Sequence, residues 1–503
     1  METWFFIISS LCLTAILKWL FNLVFPWKEL GPKLPPGPAV FPLIGNAVWL
    51  RKSFFQLEPI LQSLHAKFGN MITLHIGSHP AIFVSDRSLA HQALVKQGTV
   101  FADRPSISST SKIYTSNQHT ISSAGYGQTW RILRKNITSE ILNHSRIRSY
   151  SHARKWILNI LKDRLVESGV GGGPVRVVDH FRYAMFCLLV LMCFGDKLDE
   201  NQIKEIEDVQ RELQSNMISF NIFNIWPSVT KVLFYKRWKK FLRVQQQQLD
   251  VLIPLIRARR TGKQELILAY VDTLLELQLP EEKRGLTEPE MVSLCSEFLN
   301  AGTDTTYTVL QWIMANLVKH PEIQEKLLTE IKGVVGDRDT EVIEEDDLQK
   351  MPYLKAVVLE ALRRHPPAHI LVPHRVTRDV VLNGYLLPQK STIYFMIYPI
   401  GLDPKLWEDP MAFKPERFVD SEEAVDLTGT KEIKMMPFGA GRRVCPGSGL
   451  AMLHLEYFVA NLVWSFGWKA VEGKDVDMSE KTMFTTGMKT PLEVKLSSRS
   501  RKV

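Results

Sequence analysis

One cysteine lies in a glycine-rich segment near the carboxyl end of this 503-residue chain, and that segment constrains the fold more than any other. It reads FGAGRRVCPG from Phe438 to Gly447. Gly441 and Gly447 have no Cβ, which permits a tight turn and a close approach of the backbone to a flat ligand. Pro446 suits the first turn of a helix. The thiolate of Cys445 would then lie at the positive end of that helix, where negative charge is stabilised.

A thiolate in such a loop suits one axial position of a haem iron, since sulfur donation favours O–O cleavage. The segment resembles the haem-binding loop of the cytochromes P-450, Phe-x-x-Gly-x-Arg-x-Cys-x-Gly, at every fixed position. The alternative is a buried structural cysteine in a glycine-rich turn, which the other matched positions disfavour. The resemblance implies that Cys445 is the axial ligand of the haem iron. It also places Phe438, Gly439 and Arg443 beside the cofactor, with Arg443 suited to a propionate.

The composition is that of an ordinary globular protein, with 23% charged and 45% hydrophobic residues. The net charge of +9 suits nucleic acid, an anionic membrane or an acidic protein partner. No basic stripe with interleaved aromatic residues accompanies it, so we expect a membrane and a protein partner and no nucleic acid. The five cysteines form neither a disulfide framework nor a zinc pattern, which fits reduced thiols facing the cytosol.

Residues 3 to 27 are almost wholly apolar and exceed the roughly 20 residues that a membrane span needs. A cleaved signal peptide and a retained anchor are the two interpretations. Glu2 precedes the apolar run, whereas Lys28 and Lys33 follow it, which favours an anchor with its short end in the lumen. We therefore predict an anchor over residues 1–27.

The segment LPPGP then begins at Leu34, and its prolines favour a semi-rigid extended spacer. We predict a hinge over 28–40 and one catalytic body over 41–503.

Few strands and many helices are predicted in that body. Two strand pairs are indicated, over 71–85 and within 380–398 around Asn383-Gly384. Helical periodicity is strongest near 140–167, 229–260, 287–319, 322–335 and 352–364. The body is therefore predicted to be mainly α with small β-sheets, which the resemblance identifies as the cytochrome P-450 fold.

The long predicted helix begins at the capping box Thr287-x-x-Glu290, and its middle reads AGTDTT from Ala301. Thr305 can return its hydroxyl to the carbonyl of Ala301, and such a bond bends or opens a helix. The acid and the alcohol, Asp304 and Thr305, suit a proton relay to dioxygen, as in the family's signature at this place. The alternative is a polar patch on a surface helix, which the cysteine loop downstream disfavours.

Glu360 and Arg363 are three residues apart on another predicted helix and share one face. An exposed pair of this kind would stabilise by only a few tenths of a kcal/mol. The family has instead a buried pair joined by a later arginine, which the resemblance identifies as Arg417 in the segment PERF. We expect this network to act in folding and haem retention, and to carry no chemistry.

Trp130 and Arg134 lie one helical turn apart and are both hydrogen-bond donors suited to a carboxylate. The resemblance assigns them to a haem propionate, and it adds Arg104 and His374 as further propionate contacts. Arg375 competes with His374 for that role. Each of these cations has the alternative of lying in solvent or capping a helix.

The substrate pocket is implied by the resemblance alone. It draws on the loop 106–124 and on residues that are mostly apolar or hydroxylic: Phe298, Ala301, Ile370, Leu371, Val372, Phe484 and Thr485. The motif wording is similar to the plant endoplasmic-reticulum branch, and most of all to the group numbered eighty-nine, subgroup A. A small, largely apolar plant metabolite is the expected substrate, and the subgroup adds a linear tetrapyrrole breakdown product as a candidate.

The reaction implied is RH + O2 + two electrons + two protons giving ROH + water. GAG at Gly439 is only a fragment of a dinucleotide fingerprint, so the electrons are expected from a separate NADPH-dependent reductase in the same membrane. Its docking face is predicted around Lys434, Arg442, Arg134 and Lys135. The alternatives are a haem-thiolate isomerase or dehydratase that needs neither O2 nor reductase, and a haem sensor without catalysis.

Overall fold

The computed structural model describes residues 33–38, 58–76, 79–107, 109–195, 198–224, 227–261, 268–419 and 425–499, with three isolated positions before them. The predicted anchor lies outside the described residues except at Ser10, Thr14 and Leu17. The predicted hinge over 28–40 is described only at 33–38, so the predicted domain boundaries remain predictions.

The chain divides into two compact units, one of residues up to 105 together with 370–396, and one of residues 106–369 and 397–503. The α-helices in the described ranges are α1 (Glu58–Phe68), α2 (Arg87–His91), α3 (Gly98–Phe101), α4 (Ser109–Tyr114), α5 (Gln128–Asn136), α6 (His144–Ser149), α7 (Ser151–Ser168), α8 (Val177–Phe194), α9 (Glu200–Phe220), α10 (Pro227–Leu233), α11 (Tyr235–Thr261), α12 (Tyr270–Leu275), α13 (Glu288–Lys319), α14 (Pro321–Val335), α15 (Glu345–Leu348), α16 (Pro352–Arg364), α17 (Ile397–Gly401), α18 (Glu416–Val419) and α19 (Ser448–Ser465). The strands are β1 (Met71–Ile76), β2 (His79–Val84), β3 (Val175–Arg176), β4 (Gln278–Leu279), β5 (Arg284–Gly285), β6 (His374–Arg375), β7 (Val380–Leu382), β8 (Tyr385–Leu387), β9 (Thr392–Phe395), β10 (Phe466–Ala470), β11 (Glu480–Thr482), β12 (Thr486–Met488) and β13 (Glu493–Ser498).

The smaller unit is built on a four-stranded sheet of order β1-β2-β9-β6. β1 and β2 pair antiparallel, so the predicted strand pair over 71–85 is confirmed. The second predicted pair is the β7–β8 hairpin, whose turn residues Asn383 and Gly384 have φ of 51° and 78°. Both values lie in the left-handed region that a two-residue hairpin of this type requires. The apolar face of the sheet packs on α1 in a cluster that includes Leu61, Ile72 and Phe83.

The larger unit is mainly helical, and its core forms where α8 packs along α13. From Ala184 onward helix α8 is apolar on every side, and it is the helix of the described residues that is long and apolar enough to cross a membrane. It is mostly buried inside the larger unit, as a core helix would be. Periodicity alone did not indicate α8, because a helix that is apolar all round has no polar face to mark it.

The predicted helices divide into two groups. Those over 287–319, 322–335 and 352–364 are confirmed as α13, α14 and α16. Those over 140–167 and 229–260 are interrupted. In the first, Asn143 accepts a hydrogen bond from the N–H of Arg146 at 2.9 Å and so begins a new helix.

Candidate active site

The backbone of the cysteine loop folds back on itself. The N–H of Cys445 donates to the carbonyl of Phe438 at 2.9 Å. Gly439 and Gly441 have φ of 72° and 71°, which side chains with a Cβ rarely adopt. The loop therefore needs glycine at these two positions, one of which is the predicted cofactor contact Gly439.

The expectation that Pro446 lies in the first turn of a helix is wrong, because α19 begins at Ser448. Gly447 is the cap and Ser448 the first helical residue, so Pro446 precedes the helix. Burial raises the pKa of the Cys445 thiol, whereas the N–H of Gly447 and the charge of Arg134 act to lower it. Desolvation is the largest of these effects.

A cationic and aromatic cluster lies beside this loop. The Arg443 guanidinium lies 4.4 Å from the centre of the Trp130 ring. The same guanidinium donates to the carbonyls of Ala124 at 2.6 Å and Ile121 at 3.2 Å. Trp130 is buried, yet no acceptor among the described residues reaches its Nε1–H. Tyr126, which the sequence analysis did not single out, packs on Trp130 at 5.3 Å.

These residues fit a haem. A buried indole N–H without an acceptor is costly, and a propionate oxygen is the kind of acceptor that would satisfy it. Arg134 is close enough to Cys445 for the two groups to influence each other's pKa. No group of three His, Cys, Asp or Glu side chains that could hold a bare metal ion occurs within the described ranges.

Arg104 and His374 both lie in the smaller unit. Arg104 donates to two backbone carbonyls of residues 372–373, each at 2.8 Å. His374 is buried, and its Nδ1–H donates to a carbonyl of α3 at 2.6 Å. Arg375 is paired with Asp103, its Nε lying 2.8 Å from the carboxylate. Because its charge is already compensated, Arg375 is less suited than His374 to hold a propionate.

The predicted acid and alcohol lie in the middle of α13. The hydroxyl of Thr305 donates to the carbonyl of Ala301 at 2.7 Å. Asp304 is buried and accepts a hydrogen bond from Gln214 at 2.6 Å. Burial raises the pKa of Asp304, although nearby arginines act to lower it. Gln214 lies 90 residues away in sequence, so no local pattern could have indicated it.

Helix α13 is continuous over Glu288–Lys319, so the bond from Thr305 to Ala301 does not interrupt the helix at this motif. Gly302 has a packing role. A Cβ at this position would lie 2.6 Å from Cδ1 of Leu189 on α8. The glycine therefore allows two core helices to approach closely.

The predicted scaffold residues meet in the larger unit. Glu360 and Arg363 are fully buried and form two hydrogen bonds of 2.7 Å. Arg417 approaches the same carboxylate at 3.4 Å, and the N–H of Lys414 donates to it at 2.8 Å. Arg363 also donates to three backbone carbonyls between residues 401 and 412. Every oxygen of the buried acid thus has a donor.

The predicted pocket residues of the larger unit differ in how far they are exposed. The side chain of Phe298 lies in the core, with its ring 5.0 Å from that of Tyr270. Ala301 is exposed, and Phe484 is 51% exposed. The hydroxyl of Thr485 lies 3.1 Å from that of Thr308 on α13.

The other predicted pocket residues lie in the smaller unit. Ile370 pairs with Met396 and packs on the core of that unit. The N–H of Leu371 donates to the carbonyl of Phe395 at 2.9 Å, and Val372 is 52% exposed.

Comparison with known proteins identifies the class that this fold and cysteine loop define. The Cytochrome P450 family profile matches residues 35–497. The chain is 51% identical to Cytochrome P450 89A9 of Arabidopsis thaliana, over 99% of each chain. It is 30% identical to an isoflavone 2'-hydroxylase of Medicago truncatula, over 98% of each. A zebrafish cytochrome P450 solved with abiraterone superposes with a TM-score of 0.71 at 23% identity, covering 88% of this chain and 99% of that one.

The chain belongs to the cytochrome P450 family. It is a monooxygenase with the mainly helical fold of that family, and its cofactor is haem. Its co-substrate is O2, and its electrons come from NADPH through a reductase. The predicted family, fold, enzyme class and cofactors are thus confirmed.

Proposed function

We propose that this protein is a membrane-anchored monooxygenase that inserts one oxygen atom into a small, largely apolar plant metabolite. The observation that carries the proposal is a half-buried Cys445 near Arg134, together with a buried Trp130 N–H that lies beside Arg443 of the same loop and lacks an acceptor among the described residues. Family membership supports the reaction class.

In this proposal Cys445 ligates the haem iron, and the bound haem supplies the activation of O2 with electron donation from sulfur. Trp130 and Arg134 donate to a propionate, which is the bidentate kind of recognition that suits a carboxylate. Arg443 stacks on the Trp130 ring and so holds it in place. Phe438 shields the sulfur from water.

In the same proposal Thr305 and Asp304 hold and transfer the protons that the reaction consumes. The Thr305 hydroxyl donates to the carbonyl of Ala301, and rotation about its C–O bond would release that proton for the relay. Asp304 has a raised pKa, so it holds a proton closer to neutral pH than an ordinary aspartate. The hydrogen bond that Asp304 accepts from Gln214 holds its carboxyl group at the contact between α9 and α13.

Replacing Cys445 by Ala tests ligation. We expect the reduced, carbon-monoxide-treated protein to lose the Soret band typical of thiolate ligation. Cys187→Ala is the control, since this thiol is buried in the core of the larger unit. A thiolate-type band that survives in Cys445→Ala would refute the assignment.

Replacing Thr305 by Ala tests the proton role. Product formation should fall by roughly 10- to 100-fold, with NADPH oxidation diverted to peroxide. Thr329→Ala is the matched control, because the Thr329 hydroxyl makes the same bond to the carbonyl four residues before it, at 2.9 Å on α14. Turnover without NADPH, reductase and O2 would instead support the isomerase or dehydratase.

The substrate class rests on the exposed pocket residues Ala301 and Phe484, which are apolar, and on the hydroxyl of Thr485. Difference spectroscopy over a metabolite panel tests it, since a substrate that displaces the water ligand of iron shifts the Soret band. Linear tetrapyrroles belong in that panel. If only strongly charged molecules shift the band, the proposal of an apolar substrate is wrong.

Reductase docking is proposed on exposed members of the predicted cationic face. Arg442 and Lys135 are exposed, and Arg442 donates to the Tyr126 hydroxyl at 2.6 Å. Arg134 is largely buried towards Cys445, and Lys434 is paired with Glu432 at 3.2 Å, so both are weaker candidates. Reversing the charge of Arg442 and Lys135 should slow reduction by the reductase and spare the haem spectrum. Reversal at Lys332, exposed on α14, is the control.

We further propose that residues 1–27 anchor the protein in the endoplasmic-reticulum membrane by a single span, with the catalytic body in the cytosol. The length and the flanking charges of the apolar run support this arrangement.

A further inference from the structure

A cavity opens in the larger unit where α6, α15 and the start of α19 meet. Its volume is about 250 Å³, just below the range of about 300–1,000 Å³ that sites for drug-sized molecules occupy. Gly449 lines it and follows Cys445 by four residues in the chain, but none of the residues predicted to contact haem or substrate is part of the lining. A ligand in this cavity would therefore be small and would bind apart from the predicted substrate pocket.

The inner part of the cavity is apolar. Ile147 is buried, and Leu142 and Leu453 are partly buried. Gly449 is exposed, and a Cβ added to it would meet no neighbouring heavy atom within 4 Å. The missing side chain at this position thus leaves part of the cavity open. The aliphatic residues suit an apolar group about the size of one side chain.

Charges of both signs line the same cavity, on two different elements. Arg148 lies on α6, whereas Glu345 and Asp346 lie on α15. Arg148 pairs with Asp346, and Glu345 accepts a hydrogen bond from the fully buried Arg154 at 2.6 Å. These four charges sum to zero, so an anion alone or a cation alone finds no net attraction. A ligand with one charge of each sign is complementary to the two elements.

The pair of Arg148 and Asp346 lies at the rim, with side chains that are 50% and 77% exposed. An exposed ion pair contributes little to stability, so a ligand that separates this pair loses little. A carboxylate would take Arg148 and an ammonium group would take Asp346, which replaces one charge-assisted pair by two. Gly449 is the second residue of α19, and the positive end of that helix also favours the carboxylate.

We propose that this cavity binds a free α-amino acid with an aliphatic or aromatic side chain. The carboxylate faces Arg148 and the start of α19, and the ammonium group faces Asp346. The side chain packs on Ile147 and Leu453. An α-amino acid is a small molecule that combines both charges with one apolar group, as the lining requires. This inference goes beyond the proposed function and does not depend on it.

Isothermal titration calorimetry of L-phenylalanine into the full-length holoprotein tests the proposal. Saturating 1-phenylimidazole, a ligand of the haem iron, keeps the amino acid out of the substrate cavity during the titration. We expect saturable binding with a Kd on the order of 1 mM or below. Phenethylamine lacks the carboxylate and 3-phenylpropionate lacks the ammonium group, so each should bind at least about tenfold more weakly.

Two substitutions test the place of binding. Asp346→Asn removes the partner of the ammonium group, and Gly449→Leu fills the cavity, so each should raise the Kd of L-phenylalanine at least about tenfold. Because Asp346 is 77% exposed, its replacement leaves the core intact. Glu344→Gln is the matched control, since Glu344 is a neighbouring exposed carboxylate that pairs with Lys155 at 2.9 Å and does not line the cavity. The control should keep the Kd within about twofold of the wild type.

No saturable binding at about ten times the expected Kd would overturn the proposal. Equal affinity for either analogue would overturn the recognition of paired charges. An unchanged Kd in both Asp346→Asn and Gly449→Leu would overturn the assignment of the site to this cavity. Failure of the proposed function is recognised separately, by a wild-type protein that lacks the thiolate-type carbon-monoxide spectrum, and the calorimetry still decides the amino-acid site in that case.

Discussion

Gly302 lies where α13 passes α8, and its missing side chain permits that contact. The closest atom to an added Cβ would be Cδ1 of Leu189 at 2.6 Å, with Cγ at 3.0 Å. Leu189 is 1% exposed and belongs to the main core. A methyl group at position 302 therefore cannot be accommodated without moving a packed side chain.

We predict that Gly302→Ala lowers the Tm of the holoprotein, because overpacking of about 1–3 kcal/mol outweighs the better helix propensity of alanine. Adding Leu189→Ala should recover part of the loss that each change causes alone. Gly333→Ala is the control, since Gly333 lies in α14 with no atom within 4 Å of its added Cβ. That variant should be stabilised by about 0.5–1 kcal/mol. Stabilisation of both variants would contradict the packing role of Gly302.

The carboxylate of Glu360 forms ion pairs with two arginines in the core, Arg363 and Arg417. We predict that Glu360→Ala costs about 3–5 kcal/mol and lowers haem content, because it leaves the buried Arg363 uncompensated. Arg417→Ala should cost less, since its contact is longer, at 3.4 Å. The exposed pair Lys326–Glu416, at 2.8 Å, is the comparison, and Lys326→Ala should cost under about 1 kcal/mol. Thermal unfolding and haem absorbance per protein measure both effects, and equal losses at Glu360 and Lys326 would contradict the prediction.

These residues also show which contacts of single side chains the sequence alone can predict. The spacing of Glu360 and Arg363 places them on one face, but only the family motif indicated a buried pair with Arg417. Local spacing cannot indicate that Gln214 bonds to Asp304 or that Glu297 accepts the N–H of Ile121, because these partners lie on separate elements. The desolvation of Cys445 likewise depends on the whole fold, and it raises the pKa of this thiol against the effects of Gly447 and Arg134.

Among the elements, the loop 114–124 carries the titratable group that links stability to pH. His119 lies 2.5 Å from Glu290 and 3.3 Å from Glu282, and its bond to Glu290 raises its pKa. Arg284, also paired with Glu290, acts in the opposite direction on His119. Burial acts to raise the pKa of Glu290, but Arg284 and His119 hold it well below its usual range.

The direction of the pH effect follows from the raised pKa of His119. Its contribution should be fully present below the ordinary histidine pKa of about 6.5, and should be lost as pH rises through the raised value in the folded protein. We predict that the Tm difference between wild type and His119→Gln is larger at pH 6 than at a pH about two units higher. An equal difference at both pH values would show that the pair contributes no charge-dependent stability.

The helices whose positions were predicted most accurately have start signals in their first turns. α13 begins with the bonded capping box of Thr287 and Glu290, and α14 and α16 begin with prolines. Helix α8 has no such signal and no polar face, so only its burial in the folded protein distinguishes it from a membrane span. The breaks at Asn143 and after Leu233 likewise interrupt segments whose apolar period continues.

At the scale of the whole molecule, the chain contains two apolar segments of membrane-spanning length. Residues 3–27 are apolar except at Lys18 and are flanked by cations on one side only, whereas α8 is mostly buried in the core of the larger unit. Because a buried helix cannot also face lipid, the burial of α8 supports the proposal that the first segment is the membrane anchor.

Deleting residues 1–27 tests whether the membrane contact is made by these residues or by α8. We predict that the shortened protein leaves the membrane fraction after a high-salt and alkaline wash and keeps its thiolate-type carbon-monoxide spectrum. The physical reason is that α8 contributes its apolar surface to the packed core, where it is already removed from water. The matched variant is Ile16→Asp in the full-length chain, since one acid at the centre of a span costs roughly 2.5–3.5 kcal/mol and should weaken insertion without shortening the protein. A shortened protein that resists both washes would show that membrane contact is made elsewhere in the chain, and the assignment of a single span at residues 1–27 would then be wrong.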